Sequence, residues 1–128
     1  MPRASRNYIP GQIWHITHRC HNRKALLRFN LDRRNWLFWL SEAKKRYGLK
    51  VLDYTVMMNH IHLLLLDSQF NAIPRSMQLI ASKTAQAYNH RHQRKGAFWE
   101  DRYHATAVAA DTHLYKCLVY IDLNIVRA

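Results

Sequence analysis

Residues 50–67 read KVLDYTVMMNHIHLLLLD, two apolar runs rich in β-formers that meet around Asn59. Asparagine tolerates tight-turn conformations, so the stretch predicts a hairpin of two central strands, KVLDYTVMM and then HIHLLLLD. In a strand, residues i and i+2 share a face. His60 and His62 therefore project together, while Ile61, Leu63 and Leu65 point the other way. One side reads as core, and the other offers two imidazoles that can grip one metal ion.

Outward from this hairpin the elements alternate. Residues 12–20, QIWHITHRC, set Ile13, His15 and Thr17 against Trp14, Ile16 and His18, as a strand does. After the basic link HNRK, the stretch from Asn30 to Tyr47 places Trp36, Leu37, Leu40, Ala43 and Tyr47 on one helical face, and Gly48 suits its stop. On the other side, Ile73, Met77, Ile80, Thr84, Ala87 and Tyr88 recur at helical spacing over residues 73–92, with Pro74 in the first turn. HATAVAA, residues 104–110, is a strand candidate, and Asp111 caps a helix from Thr112 to Val126. The order strand, helix, strand, strand, helix, strand predicts an α+β fold. It is the ferredoxin-like split βαβ sandwich, an antiparallel sheet with two helices on one face, followed here by a C-terminal helix.

A chain of 128 residues, 48% hydrophobic with three glycines and three prolines, predicts one globular domain spanning 1–128. Lys and Arg number 20 against 8 for Asp and Glu, a net charge of +12, which points to a polyanionic partner. No stretch approaches the roughly 18 to 20 apolar residues of a spanning helix. The opening MPRASRNYIPG also lacks the apolar core of a signal peptide. Nucleic acid is thus favoured over a membrane surface, and the expected location is cytoplasmic. Cys20 and Cys117 match no metal-finger spacing and read as reduced structural thiols.

In the last helix, DTHLYKCLVYIDLNIVRA, the residues Leu114, Leu118, Ile121 and Ile125 form an apolar stripe. His113, Lys116, Tyr120 and Asn124 share a neighbouring flank at i, i+3 and i+4 spacings. By spacing alone, Tyr120 reads as a boundary aromatic with its hydroxyl in water, Asn124 as a polar helix end and Lys116 as an exposed lysine.

YTVMMNHIHLLL, GAFWEDRYH and YIDLNIVRA together resemble the single-tyrosine HUH transposases, both the insertion-sequence enzymes and, more closely, the REP-associated tyrosine transposases. The likeness runs from IWHITHRCHNR to the C-terminus. It implies a ferredoxin-like nuclease in which His60 and His62 hold a divalent metal, Tyr120 is the nucleophile and Asn124, one turn on, completes the metal shell. Tyr115 is the next candidate for the nucleophile. The mixed N and O ligands suit Mg²⁺ or Mn²⁺, and Zn²⁺ as well. The implied reaction is cleavage and rejoining of single-stranded, hairpin-flanked DNA through a 5′-phosphotyrosine. Lys116, one turn before Tyr120, would favour the phenolate or hold a phosphate oxygen.

Basic residues beside aromatics and imidazoles supply the expected DNA contacts: Arg19, Arg23, Lys24 and Arg28 after the first strand, and Arg91, Arg94 and Lys95 after the second helix. In GAFWEDRYH, Trp99 is expected to pack and Arg102 to meet a phosphate or the edge of the site. Where relatives commonly read NPVRAG, this chain reads NIVRA and stops at Ala128, with Ile125 in the proline position, which fits either a complete short member or a truncated one. An inactive nucleic-acid-binding remnant or regulator is the rival from another class, and a replication-initiation or relaxase nuclease is a second rival. A monomer and a homodimer both fit.

Overall fold

The computed structural model describes residues 10–109, 114 and 116–121. The elements are β1 (Ile13–Arg19), a 3-10 turn (His21–Arg23), α1 (Asn30–Tyr47), β2 (Lys50–Val56), β3 (His60–Leu66), α2 (Ala72–Arg91) and β4 (His104–Val108). Residues 114 and 116–121 lie in a further helix, α3. His113, Tyr115, Asn124 and Ile125 fall outside the described residues.

The four strands form one sheet in the order β2-β3-β1-β4, and every pairing is antiparallel. This is the arrangement expected of the split βαβ order. β3 lies between β2 and β1 and is covered on both faces, which explains why Ile61 to Leu65 are all buried and why HIHLLLL shows no simple apolar alternation.

α1 ends where the sequence predicts. Gly48 adopts the left-handed conformation at φ 68°, and its N–H donates to the Lys44 carbonyl at 3.1 Å. It is this positive φ that calls for glycine, since a Cβ here would meet only the movable end of the exposed Gln69 side chain. The β2–β3 hairpin closes through the Met57 N–H and the His60 carbonyl at 2.8 Å.

Two apolar clusters divide the sheet. On one face Ile16, Ile61, Leu63 and Leu65 pack with Trp36, Leu40 and Ala43 of α1 and Ile73, Met77 and Ile80 of α2. On the other, Ile13, Leu64 and Val108 pack with Cys117 and Ile121 of α3, flanked by half-buried Leu66, Leu114 and Leu118. Of the predicted stripe of α3, Leu114, Leu118 and Ile121 are thus seated on the sheet, with Cys117 added to them. Cys20 and Cys117 are both buried thiols, and burial pushes the Cys20 pKa up to about 12. Among the described residues, no helix is long and apolar enough to cross a membrane.

Candidate active site

The face of the sheet that carries α3 is apolar at one end and polar at the other. Strand register sets this out: Ile13 pairs with Leu66, His15 with Leu64, Thr17 with His62 and Arg19 with His60. Residues opposite one another in a ladder share a face. The same face receives Thr55 from β2, opposite His62, and His104 from β4, opposite Thr17. Leu64, Ile13 and Val108 anchor α3 at one end, while His15, Thr17, Arg19, His60, His62 and His104 gather towards the other.

α3 brings Tyr120 to this polar end. Ile121 is fully buried in the anchor, and its neighbour Tyr120, half exposed, sets its ring edge-to-face against His62 with centroids 5.5 Å apart. His60 and His62 are 4.9 Å apart, centroid to centroid, with their rings nearly perpendicular. Lys116, one turn before Tyr120, is exposed. The structure thus brings together His60, His62 and Tyr120.

Both imidazoles are held through Nδ1. His60 Nδ1 donates to Asn59 Oδ1 at 2.7 Å, so its Nε2 carries the lone pair. His62 Nδ1 lies 3.1 Å from His15 Nε2 and 3.4 Å from Thr17 Oγ1, while its own Nε2 is buried without a hydrogen-bond partner among the described residues. Burial, then the neighbouring His60, His15 and Arg19, lowers the His62 pKa to about 4; burial and then Arg19 also lower that of His60. At neutral pH His62 is therefore a neutral imidazole, the state in which a histidine ligates a metal.

An orphaned buried nitrogen beside a second imidazole fits a divalent cation as the missing partner. Among the described residues, no group of three or more His, Cys, Asp or Glu side chains could hold a metal. His60 and His62 are the two imidazoles that such a cation would meet there.

The basic residues divide into two sets. Cys20 N–H donates to the Asn59 carbonyl at 2.9 Å, Leu27 N–H to the Met58 carbonyl at 2.8 Å and Asn59 Nδ2 to the Arg23 carbonyl at 3.3 Å. These bonds bring exposed Arg23, Lys24 and Arg28 to the His60 end of the sheet, where Arg19 is also exposed. Glu100 N–H donates to the Arg19 carbonyl at 2.9 Å, so the segment leading to exposed Arg102 runs alongside. Lys95 is exposed in the loop after α2.

Arg91 and Arg94 are engaged in the fold itself. Arg91 makes a two-pronged bond to buried Asp32, which also meets His92 at 3.1 Å. Arg94 donates to Asn89 Oδ1 at 2.9 Å and to the Ala97 carbonyl at 2.8 Å. Trp99 packs as the sequence suggests. Its indole N–H donates to the Ala81 carbonyl at 3.0 Å, and buried His18 stacks flat on it at 3.9 Å.

Sequence reasoning passed over His15, Thr17 and Asn59 as members of the site. The alternation in IWHITHR already placed His15 and Thr17 on one face. Which face that was depended on pairing with β3, some 47 residues away.

The sequence matches the family model described as "Transposase IS200 like" over residues 9–124. The fold matches the structure of a REP-associated tyrosine transposase bound to a REP hairpin, with a TM-score of 0.71 and 20% identity, covering 99% of this chain and 74% of that one. It also matches the crystal structure of a protein from Deinococcus radiodurans R1 assigned as a transposase, with a TM-score of 0.62 and 19% identity, covering 97% of this chain and 98% of that one. No curated protein matches. The two matched structures share this antiparallel βαββαβ fold, and the family model spans most of the chain. The chain belongs to the IS200-like transposase family.

Proposed function

We propose that this chain, acting as one unit over residues 1–128, cleaves and rejoins single-stranded, hairpin-flanked DNA, with Tyr120 as the nucleophile. The observation that carries the reading is the edge-to-face seat of Tyr120 on His62, beside His60. The hairpin-bound relative supports the choice of substrate.

His60 and His62 would hold a divalent cation, Mg²⁺ or Mn²⁺, with Asn124 as a further ligand one turn after the tyrosine. The chemistry such a cation supplies when bound is Lewis acidity towards the scissile phosphate and its leaving oxygen. Tyr120 Oη attacks phosphorus, the P–O3′ bond breaks, and the products are a 5′-phosphotyrosine and a strand ending in a 3′ hydroxyl. The phenolic proton balances the one gained by the leaving oxygen. Phosphodiester energy is kept in the covalent link, so a later 3′ hydroxyl can rejoin the strand without ATP.

Ionising a phenol of pKa about 10 at pH 7 costs roughly 4 kcal/mol. Lys116, one turn away on the same flank, would hold a phosphate oxygen beside the attacking hydroxyl. Arg19, Arg23, Lys24, Arg28, Lys95 and Arg102 guide the strand towards the histidines electrostatically, and Arg91 and Arg94 shape the surface beside them.

Labelled single-stranded hairpin DNA, incubated with the protein and Mn²⁺ and run on a denaturing gel, tests this reading. Wild type should give a protein-linked fragment, and Tyr120→Phe should lose it by at least about 10³-fold while still binding DNA. An adduct that survives in Tyr120→Phe contradicts the assignment.

A further inference from the structure

We propose that His15 is a positioning residue: it holds His62 in the Nδ1–H tautomer, so that the lone pair stays on the buried Nε2. The inference rests on the reading of His60 and His62 as the metal-holding pair.

A neutral imidazole carries one N–H, and its surroundings choose which nitrogen bears it. If His62 carried the proton on Nε2, a buried donor would face no acceptor among the described residues, where Nε2 has no partner. With the proton on Nδ1, the N–H points to His15 Nε2 at 3.1 Å, and His15 accepts. Thr17 Oγ1, at 3.4 Å, is a weaker second acceptor.

The placement follows from the sheet. Thr17 stands directly opposite His62, and His15, two residues earlier on the same face, is its diagonal neighbour, with ring centroids 5.2 Å apart and planes inclined by 27°. His60 is served in the same way by Asn59 Oδ1, which accepts from its Nδ1–H at 2.7 Å. Each imidazole of the pair thus has its own hydrogen-bond partner on Nδ1, which leaves Nε2 as the nitrogen that would ligate a cation, the arrangement that outer-shell groups give to histidine ligands.

The test reads the tautomer without metal and metal affinity separately. Long-range ¹H–¹⁵N spectra of metal-free protein labelled at histidine should show His62 as the Nδ1–H tautomer. In a Thr17→Val background, which removes the weaker acceptor, His15→Phe should shift His62 towards Nε2–H and weaken Mn²⁺ binding about 10- to 100-fold. His15→Gln, whose Oε1 accepts in place of Nε2, should restore both readouts.

An Nε2–H tautomer in the wild type overturns the proposal, and that spectrum needs no variant to fold. So does a His15→Phe variant with unchanged tautomer and unchanged Mn²⁺ affinity. A wild type that shows the Nδ1–H tautomer yet binds no Mn²⁺ overturns the metal reading instead and upholds the tautomer assignment.

Discussion

The two faces of the sheet are built from the same strands and do different work. Towards α1 and α2, Ile16, Ile61, Leu63 and Leu65 meet Trp36, Met77 and Ile80 in a continuous apolar layer. Towards α3, apolar contact is confined to the Ile13, Leu64 and Val108 end, and the rest of the face carries imidazoles and hydroxyls. Both faces bury side chains; among the described residues the second holds the unpartnered His62 Nε2, while α2, over the first, buries the unpartnered hydroxyls of Ser76 and Thr84. A strand that alternates His60, Ile61, His62 and Leu63 can therefore secure the core with one set of side chains and present chemistry with the other.

Adjacent residues of β3 break this comparison most sharply. His62→Ala should cut covalent adduct formation by at least about 100-fold, the upper end of what losing even an outer-shell partner of a metal costs. Ile61→Ala, one residue away on the other face, should destabilise the fold by about 2–5 kcal/mol and leave the adduct rate per folded molecule nearly unchanged. Stopped gel assays alongside urea unfolding separate the two, and equal losses of rate would erase the distinction between the faces.

The anchor of α3 comes next. Leu64→Ala should cost about 2–5 kcal/mol, as Ile61→Ala does, but should also lower adduct formation in protein that is still folded. Leu64 lies under the helix that carries Tyr120, and Ile61 does not. Urea unfolding with an adduct assay well below the midpoint checks this, and a normal rate in Leu64→Ala would show that α3 does not depend on this cluster.

A smaller effect is expected with pH. Burial lowers both His18, on the α1/α2 side, and His62, on the other, to about 4; for His18 a bond to the Asp101 carbonyl opposes this only in part. The unfolded chain takes up protons near 6.5 and the folded chain only near 4. Stability is therefore full above 6.5 and falls as pH drops from 6.5 towards 4, by up to about 1.4 kcal/mol per pH unit for each ring. His18→Phe should flatten that slope in thermal melts taken from pH 7 to about 4, and an unchanged slope would remove His18 from this account.

The smallest contrast lies among the arginines. Arg19→Ala should reduce the slope of log affinity for DNA against log salt by about one, as the loss of one phosphate contact does. Arg91→Ala should lower the melting temperature, because it strips buried Asp32 of its main partner, and should change the salt slope less. Salt titrations of binding with parallel melts decide, and the reverse pattern would assign Arg91 to DNA and Arg19 to structure.

The hairpin, the two long helices and the facing of His60 with His62 were legible because periodicity is local: period two in NHIHLLL, and helical spacing from Trp36 to Tyr47. The nearness of Tyr120 to His62 was legible only through motif likeness, since its own helix allowed a plain boundary aromatic. His15 was not, because its part in the site depends on strand pairing across 47 positions. Arg91 was legible as charge but not as the partner of Asp32, which lies 59 positions away and becomes its neighbour only when α1 and α2 pack together. Contacts set by tertiary register leave little trace in a single sequence.

Mass mapping of the covalent adduct tests the central claim most directly. Protein trapped on labelled hairpin DNA with Mn²⁺ is digested with protease and nuclease, and the nucleotide-bearing peptide is sequenced. The remnant should sit on Tyr120 through a 5′ phosphate; a remnant on Tyr115 or Tyr103, or a 3′ linkage, would contradict the account.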